Sequence, residues 1–255
     1  MSHSPTRHAL WSLVHEERAS LARDLAGLDR DQWQRPTLCT DWVVEDVVAH
    51  LTAGASTGRF RWLASILAAR FNADVHNQRR LAEHRGRTPS ETLERFRQVI
   101  PSTTAPTGHT AAWLGEVVVH GQDIRRVVGL EHAPSVKAAT EVARFFAQRD
   151  FTVAGHSAIA GLRLEATDGP FRAGDGLLVS GTTLALTMAM AGRESTAPTS
   201  PAPACPPWSG AACRRDRAGS GHGHVIHHIA ISRRTERCGQ APGQPQRTEG
   251  RCVRM

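Results

Sequence analysis

Apolar residues return every three or four positions through most of the first half of the chain. This spacing predicts an amphipathic helix over about 6–28. The same pattern predicts further helices over 42–54, 58–83, 88–101 and 110–128. Because short loops join these segments, they are typical of an antiparallel helix bundle.

Several of the predicted helices carry recognisable ends. Thr88 is followed by Pro89 and then by Glu91, which is the pattern of a capping box with proline at the first helical position. Gly129 follows the last helix of the series and is typical of a C-terminal stop. Asp41 precedes the helix at 42–54, and we expect its carboxylate to cap that helix.

The pattern changes after residue 133. A helix is predicted over 136–149, and apolar and charged residues then alternate within 158–167 as in a half-buried strand. A turn with a second short strand is predicted over 174–181, and a closing helix over 182–192. We therefore expect a mainly α fold, with a bundle at 1–133 and a small C-terminal α/β unit at 134–193.

From about Glu194 onward the chain shows neither the helical spacing nor the strand-like alternation of apolar residues. Residues 194–255 are rich in Pro, Ala and Ser and then in Arg, Gly and Gln. A segment of this composition buries too little apolar surface to offset the entropy of ordering it, so we predict a disordered tail. Lys137 is the only lysine among many arginines, which indicates GC-rich coding. Our hypothesis is that the tail is a frameshift product, and sequencing that recovers it in frame would refute this.

Charge and cysteine follow the same division. The formal net charge is +7, and nine arginines against three acidic residues in 196–255 supply most of it. Residues 1–195 are almost neutral. The sequence has no aromatic platform or recognition motif for nucleic acid. Four of the five cysteines lie in the tail, and no C-x-x-C pair indicates a zinc knuckle or a thioredoxin-type motif. Without a signal-peptide pattern or a membrane-spanning stretch, we expect a cytoplasmic protein without membrane contact.

Three polar residues lie on the apolar stripes of two predicted helices. Glu116 and His120 are four residues apart and leave the same helix face, and His50 lies on the second helix among valines and leucine. Polar groups that point into a bundle core are costly unless they pair or bind a metal ion. Two imidazoles and one carboxylate would make a three-ligand metal site with an open position. The alternative is that these residues are hydrogen-bonded core residues.

Other candidate residues lie close to this set. Asp123 is either an alternative ligand or the acceptor that orients an imidazole, and its helical position favours the second role or a side chain that faces solvent. Glu17 is a second candidate partner of the site, although a position at the bundle rim fits it equally well. Arg125 and Arg126 could contact an anion, but a solvated face is the favoured interpretation. We expect Cys39 to be a packed small residue rather than a nucleophile.

Several separate motifs resemble one known family. They are PTLCTDWVVEDVVAHL, RTPSETLERF, LGEVVVHGQDIRRVVGL and IAGLRLEATDGPFRAGDGLLVSGTTLALTMAMAGR. Together they resemble the mycothiol-dependent maleylpyruvate isomerase family of the DinB-like four-helix-bundle superfamily, over about residues 8–193. Val43 stands where the family usually has a Ser or Thr cap, and the tail replaces a short acidic, Leu-rich ending.

The resemblance implies a function and a ligand set. It implies a divalent metal, usually zinc, held by His50, Glu116 and His120, with mycothiol as cosubstrate and an electrophilic small molecule as its partner. The reaction implied is isomerisation of a cis double bond by addition, rotation and elimination of a thiolate, or a related S-transfer. The alternative is a non-catalytic metal-binding or regulatory bundle with the same ligands. The oligomeric state stays open.

Overall fold

The structure, a computed structural model, describes residues 5–39, 41–58, 81–105 and 108–193. The tail predicted at 194–255 and most of the helix predicted over 58–83 lie outside these residues. The predictions of a disordered tail, of a frameshift and of exactly four bundle helices therefore stay predictions.

The first half of the described chain is helical. Its elements are α1 (Arg7–Ala26), α2 (Arg30–Trp33), α3 (Val44–Ser56), α4 (Pro89–Gln98) and α5 (Thr110–Val128). Helix α1 packs against α4 and α5, and α3 packs against the same two helices. Fully buried apolar side chains from all four helices join in one core, including those of Leu21, Val47, Phe96 and Leu114.

The observed helix ends agree with the predicted capping residues, with two exceptions. The Thr88 side chain accepts a hydrogen bond from the Glu91 N–H at 3.2 Å, but the Glu91 carboxylate accepts from the Arg87 N–H rather than closing the box. The prediction that Asp41 caps α3 is wrong. A β-bridge between Pro36 and Val43 holds Val43 extended, so Val43 becomes the N-cap and Asp41 lies in the preceding turn with φ 66°.

The second half of the described chain combines helices with a small sheet. Its elements are α6 (Val136–Gln148), α7 (Gly155–Ala158), β1 (Leu162–Ala166), β2 (Arg172–Ala173), β3 (Leu177–Gly181) and α8 (Thr183–Met190). Strand β1 lies at the centre, antiparallel to β2 and parallel to β3, with Leu162 opposite Leu177. Helix α8 packs on α6, and α6 packs on α5. The mainly α fold with a small C-terminal α/β unit is confirmed, and α2, α7 and β2 are additions that the sequence pattern did not predict.

None of the helices in the described ranges is long and apolar enough to cross a membrane.

Candidate metal centre

Helices α3 and α5 bring three donor side chains together. The Glu116 Oε2 atom lies 3.2 Å from His50 Nε2 and 3.4 Å from His120 Nε2. Glu116 and His120 occupy consecutive turns of α5, so both side chains face α3, where His50 lies at the middle of the helix. We call these three residues the outer site. Helical spacing predicted that Glu116 and His120 share a face, and the family resemblance implied that His50 joins them.

Aromatic contacts hold the two imidazole rings. The Trp42 ring lies just before α3, with its centroid 4.9 Å from that of His50 and 6.4 Å from that of His120. The two imidazoles meet edge to face at 5.2 Å. Side-chain exposure is 17% for His50, 14% for Glu116 and 9% for His120, so the outer site lies at the edge of the core rather than in bulk water.

The charges in this cluster stabilise one another. Burial alone raises the pKa of Glu116, but hydrogen bonds and charge attraction from His120 and His50 outweigh it and lower the pKa below its usual range. Burial lowers the pKa of His120, and the carboxylates of Asp123 and Glu116 reverse this and raise the pKa to about 10.

The donor geometry fits a divalent metal ion. Zinc bound to nitrogen and oxygen at about 2.0–2.1 Å in a tetrahedron keeps its donor atoms about 3.3–3.4 Å apart. The separations of Glu116 Oε2 from the two imidazole nitrogens, 3.2 and 3.4 Å, agree with this spacing. All three donor atoms lie within 4.8 Å of one another. The residues therefore fit zinc with one coordination position not supplied by them.

A second polar cluster lies behind His120. Asp123 is fully buried and its Oδ2 atom lies 3.2 Å from His120 Nδ1. The Arg193 guanidinium donates to both oxygens of Asp123, at 2.9 and 2.8 Å. The Cys39 sulfur is 3.4 Å from both His120 Nδ1 and Asp123 Oδ2. Cys39 is buried as expected, but it packs against polar groups, and neither it nor Arg193 was linked to the site by the sequence pattern.

The structure places Glu17 and Arg125, two nearby candidates from the sequence, away from the outer site. Glu17 does not approach the outer site: its carboxylate accepts hydrogen bonds from the Ser135 N–H and hydroxyl, which anchors the start of α6 to α1. Arg125 neither lies on a solvated face nor offers an anion contact. It is 1% exposed and forms an ion pair with Asp24 at 2.7 Å.

A cleft opens beside the outer site between α5 and the C-terminal unit. The lining comes from α5, α6, the segment after α6 and the segment after α8: Gly115, Glu116, Val119, His120, Phe146, Thr152, Val153 and Arg193. The cleft therefore reaches two of the three donor residues and has a mixed apolar and polar wall.

Comparison with known proteins agrees with this description. Residues 14–107 match the family model described as the mycothiol maleylpyruvate isomerase N-terminal domain. This match confirms the family resemblance seen in the sequence. A comparison with curated proteins finds no significant match.

Two solved structures are also similar to this chain. They are crystal structures of the mycothiol-dependent maleylpyruvate isomerase and of a His-to-Ala mutant of it. Each is 15% identical in sequence, with a TM-score of 0.49, and the match covers 76% of this chain and 92% of the other.

Proposed function

We propose that this chain is a metal-dependent isomerase or S-transferase that uses mycothiol and resembles maleylpyruvate isomerase. The observation that carries the proposal is the outer site, in which two imidazole nitrogens and one carboxylate oxygen converge at a cleft. The match of residues 14–107 to the mycothiol maleylpyruvate isomerase N-terminal domain supports mycothiol as the thiol and isomerisation as the reaction class.

The outer site would hold a divalent metal, with zinc the best fit to its donors. When bound, such an ion supplies positive charge that converts a coordinated thiol into a thiolate at neutral pH. The three protein donors leave one position for the sulfur of a small thiol, since zinc takes at least four ligands. Asp123 accepts the Nδ1 hydrogen of His120 and so turns Nε2 toward Glu116.

The remaining groups of the cleft would receive the electrophilic substrate. Phe146 and Val153 provide an apolar wall, and Thr152 provides a hydroxyl. In the isomerisation, the thiolate sulfur adds to one carbon of a cis double bond, and the π electron pair moves into the conjugated electron-withdrawing group of the substrate. The remaining single bond rotates, and the returning electron pair expels the thiolate and gives the trans product. In an S-transferase the adduct would instead take up a proton and keep the new carbon–sulfur bond. The cytoplasmic location expected from the sequence stays a prediction.

Metal analysis of the full chain and of single-site variants tests the proposal. We expect one tightly bound divalent ion, and His50→Ala, Glu116→Ala and His120→Ala should each abolish tight binding. His109→Ala is the matched control, because His109 lies on the exposed N-cap of α5 and should leave the stoichiometry unchanged. A chelator should lower the melting temperature of the wild-type protein but not that of the three variants.

A thiol titration of the cobalt-substituted protein then separates an enzyme from a structural site. Added mycothiol should change the visible spectrum of the bound cobalt and should be required for turnover of a cis-configured electrophile. Retention of the metal in all three variants, or a cobalt spectrum that does not respond to thiol, would contradict the proposal.

A further inference from the structure

His120 belongs to two groups of possible metal ligands. Its Nε2 atom faces the outer site, and its Nδ1 atom faces Cys39 and Asp123. The donor atoms of Cys39, His120 and Asp123 also lie within 4.8 Å of one another, and all three residues are buried. We call these three residues the inner group. Because His120 is common to both sets, the direction of its ring nitrogens decides which set can take an ion.

The donor chemistry of the inner group favours a metal ion at least as strongly as that of the outer site. It offers a sulfur, an imidazole nitrogen and a carboxylate oxygen, whereas the outer site offers two imidazoles and one carboxylate. Thiolate sulfur is a strong ligand for zinc and cobalt. If donor type alone decided, a metal ion would therefore bind the inner group rather than the outer site.

Arg193 already provides a positive charge to the inner group. Its Nε and Nη2 atoms donate to Asp123 Oδ1 and Oδ2 at 2.9 and 2.8 Å, and Nη2 lies 3.6 Å from the Cys39 sulfur. The side chain is only 9% exposed. An arginine guanidinium keeps its proton in proteins, so it is a permanent cation at the place where a metal ion would have to lie.

The same contact fixes the direction of His120. With both oxygens of Asp123 held by Arg193, the Oδ2 atom stays 3.2 Å from His120 Nδ1 and can accept its hydrogen. That leaves Nε2 facing Glu116, so Nε2 is the ring nitrogen available to an ion in the outer site.

We propose that Arg193 excludes metal ions from the inner group and thereby assigns His120 to the outer site. The proposal rests on the proposed function for the identity of the outer site, but not for the behaviour of the inner group. Removal of the guanidinium should let a metal ion bind Cys39, His120 and Asp123. The ion would form a bond to the Cys39 sulfur and release the thiol proton to water.

Cobalt spectroscopy of full-length variants tests this, because a cobalt–thiolate bond gives an ultraviolet charge-transfer band that nitrogen and oxygen ligands do not. The background is the full chain with serine at the four cysteines of the tail: Cys205, Cys213, Cys238 and Cys252. In this background we compare Arg193→Met, which removes the charge at similar length, with Arg193→Lys, which keeps it.

We expect the charge-transfer band in Arg193→Met, with one sulfur-bound cobalt per chain, and its loss when Cys39→Ser is added. The parent protein and Arg193→Lys should lack the band. If Arg193→Met does not fold, Arg193→Gln also removes the charge and replaces it in the comparison. Circular dichroism checks the helix content of each protein. Cobalt binding by the folded, uncharged variants without a Cys39-dependent band would overturn the proposal, and so would such a band in the parent.

A His50→Ala variant separates this inference from the proposed function. His50→Ala alone should lose cobalt, whereas His50→Ala with Arg193→Met should bind it with the sulfur band. If His50→Ala alone keeps its cobalt, the outer site is misassigned and the proposed function fails. The Cys39-dependent band of Arg193→Met would still decide the role of Arg193.

Discussion

Asp123 has an unusual number of partners for a fully buried carboxylate. It accepts two hydrogen bonds from Arg193, lies beside His120 Nδ1 and receives the Cys39 thiol. Burial raises its pKa, but His120 and Arg193 outweigh this effect and lower the pKa below the usual range of an aspartate. The side chain is therefore an anion that orients its neighbours rather than one that exchanges protons.

Asp123→Asn should keep one metal ion per chain at the outer site, because the amide oxygen can still accept the Nδ1 hydrogen of His120. The loss of charge behind the imidazole should weaken metal affinity by about 10–100-fold. Competition with a chromophoric chelator measures this change. A complete loss of metal, equal to that of His120→Ala, would instead make Asp123 a ligand.

Helical spacing could predict that Glu116 and His120 share a face, and the family resemblance implied that His50 joins them from another helix. The sequence could not find Cys39 or Arg193. Cys39 lies in an irregular turn before α3, where no periodicity gives a direction, and Arg193 lies 70 residues beyond its partner Asp123. Contacts of this kind depend on how two elements pack, and this packing leaves no local pattern.

At the scale of single elements, the ends of helices depend on backbone geometry as well as on residue type. Gly129 ends α5 as predicted, with φ 76° and its N–H directed to the carbonyls of Arg125 and Arg126. Asp41 has a suitable side chain for a cap, but the bridge between Pro36 and Val43 moves the helix start past it. The preference of glycine for helix ends predicts the role of Gly129, whereas only the fold of the turn explains why Asp41 is not the cap.

Gly129→Ala should lower the free energy of unfolding by about 1–2 kcal/mol, because an L-residue is strained in the left-handed region. Gly27 ends α1 with φ −90°, and no atom lies closer than 3.7 Å to a Cβ placed there. Gly27→Ala should therefore be neutral or stabilise the protein by about 0.4–1 kcal/mol. Urea unfolding of both variants measures the contrast, and equal effects of the two substitutions would contradict it.

The carboxylate of Asp168, in the segment that follows β1, holds the start of α8. The Asp168 Oδ1 atom accepts hydrogen bonds from the Thr183 N–H and hydroxyl at 2.7 and 2.6 Å. Partial burial raises the pKa of Asp168, but these hydrogen bonds outweigh it and lower the pKa. The carboxylate thus stabilises the fold above its unfolded-state pKa of about 3.9, and this contribution is lost as the pH falls through the lower folded-state value.

Asp168→Ala should destabilise the protein at pH 7 by about 1 kcal/mol or less, since the side chain is exposed to solvent. The difference from wild type should shrink as the pH is lowered toward about 3, because protonation removes the same interaction from the wild-type protein. Denaturant titrations across this range give the measurement. Asp175→Ala, at an exposed carboxylate of the same unit, is the control, and a deficit that grows in acid would refute the assignment.

At the scale of the whole molecule, the C-terminal unit is packed against the helices that carry the outer site. Helix α6 packs on α5, and Arg193 reaches Asp123 from beyond α8. The sequence predicted the composition of both halves, because periodicity reports which elements form. It gave no indication that the last residue before the tail would contact the site. The division into a bundle at 1–133 and a unit at 134–193 stays a prediction.

A pair of truncations tests the roles of the tail and of Arg193 together. Deletion of residues 196–255 should leave the melting temperature and the metal content unchanged, because that segment has few apolar residues to contribute to a core. Deletion from Arg193 onward should remove the guanidinium and give the Cys39-dependent cobalt band. A large loss of stability in the longer truncation product, which keeps Arg193, would show that the tail belongs to the fold.

The separation between Asp123 and Arg193 has a consequence for synthesis of the chain on the ribosome. At about 5–20 residues per second, the 70 residues between them take roughly 4–14 s to translate. During that interval Cys39, His120 and Asp123 have all been made, while the cation that neutralises them has not. A nascent bundle could therefore capture a thiophilic ion that the finished chain rejects, and cellular metal supply during translation would influence which ion the mature protein carries.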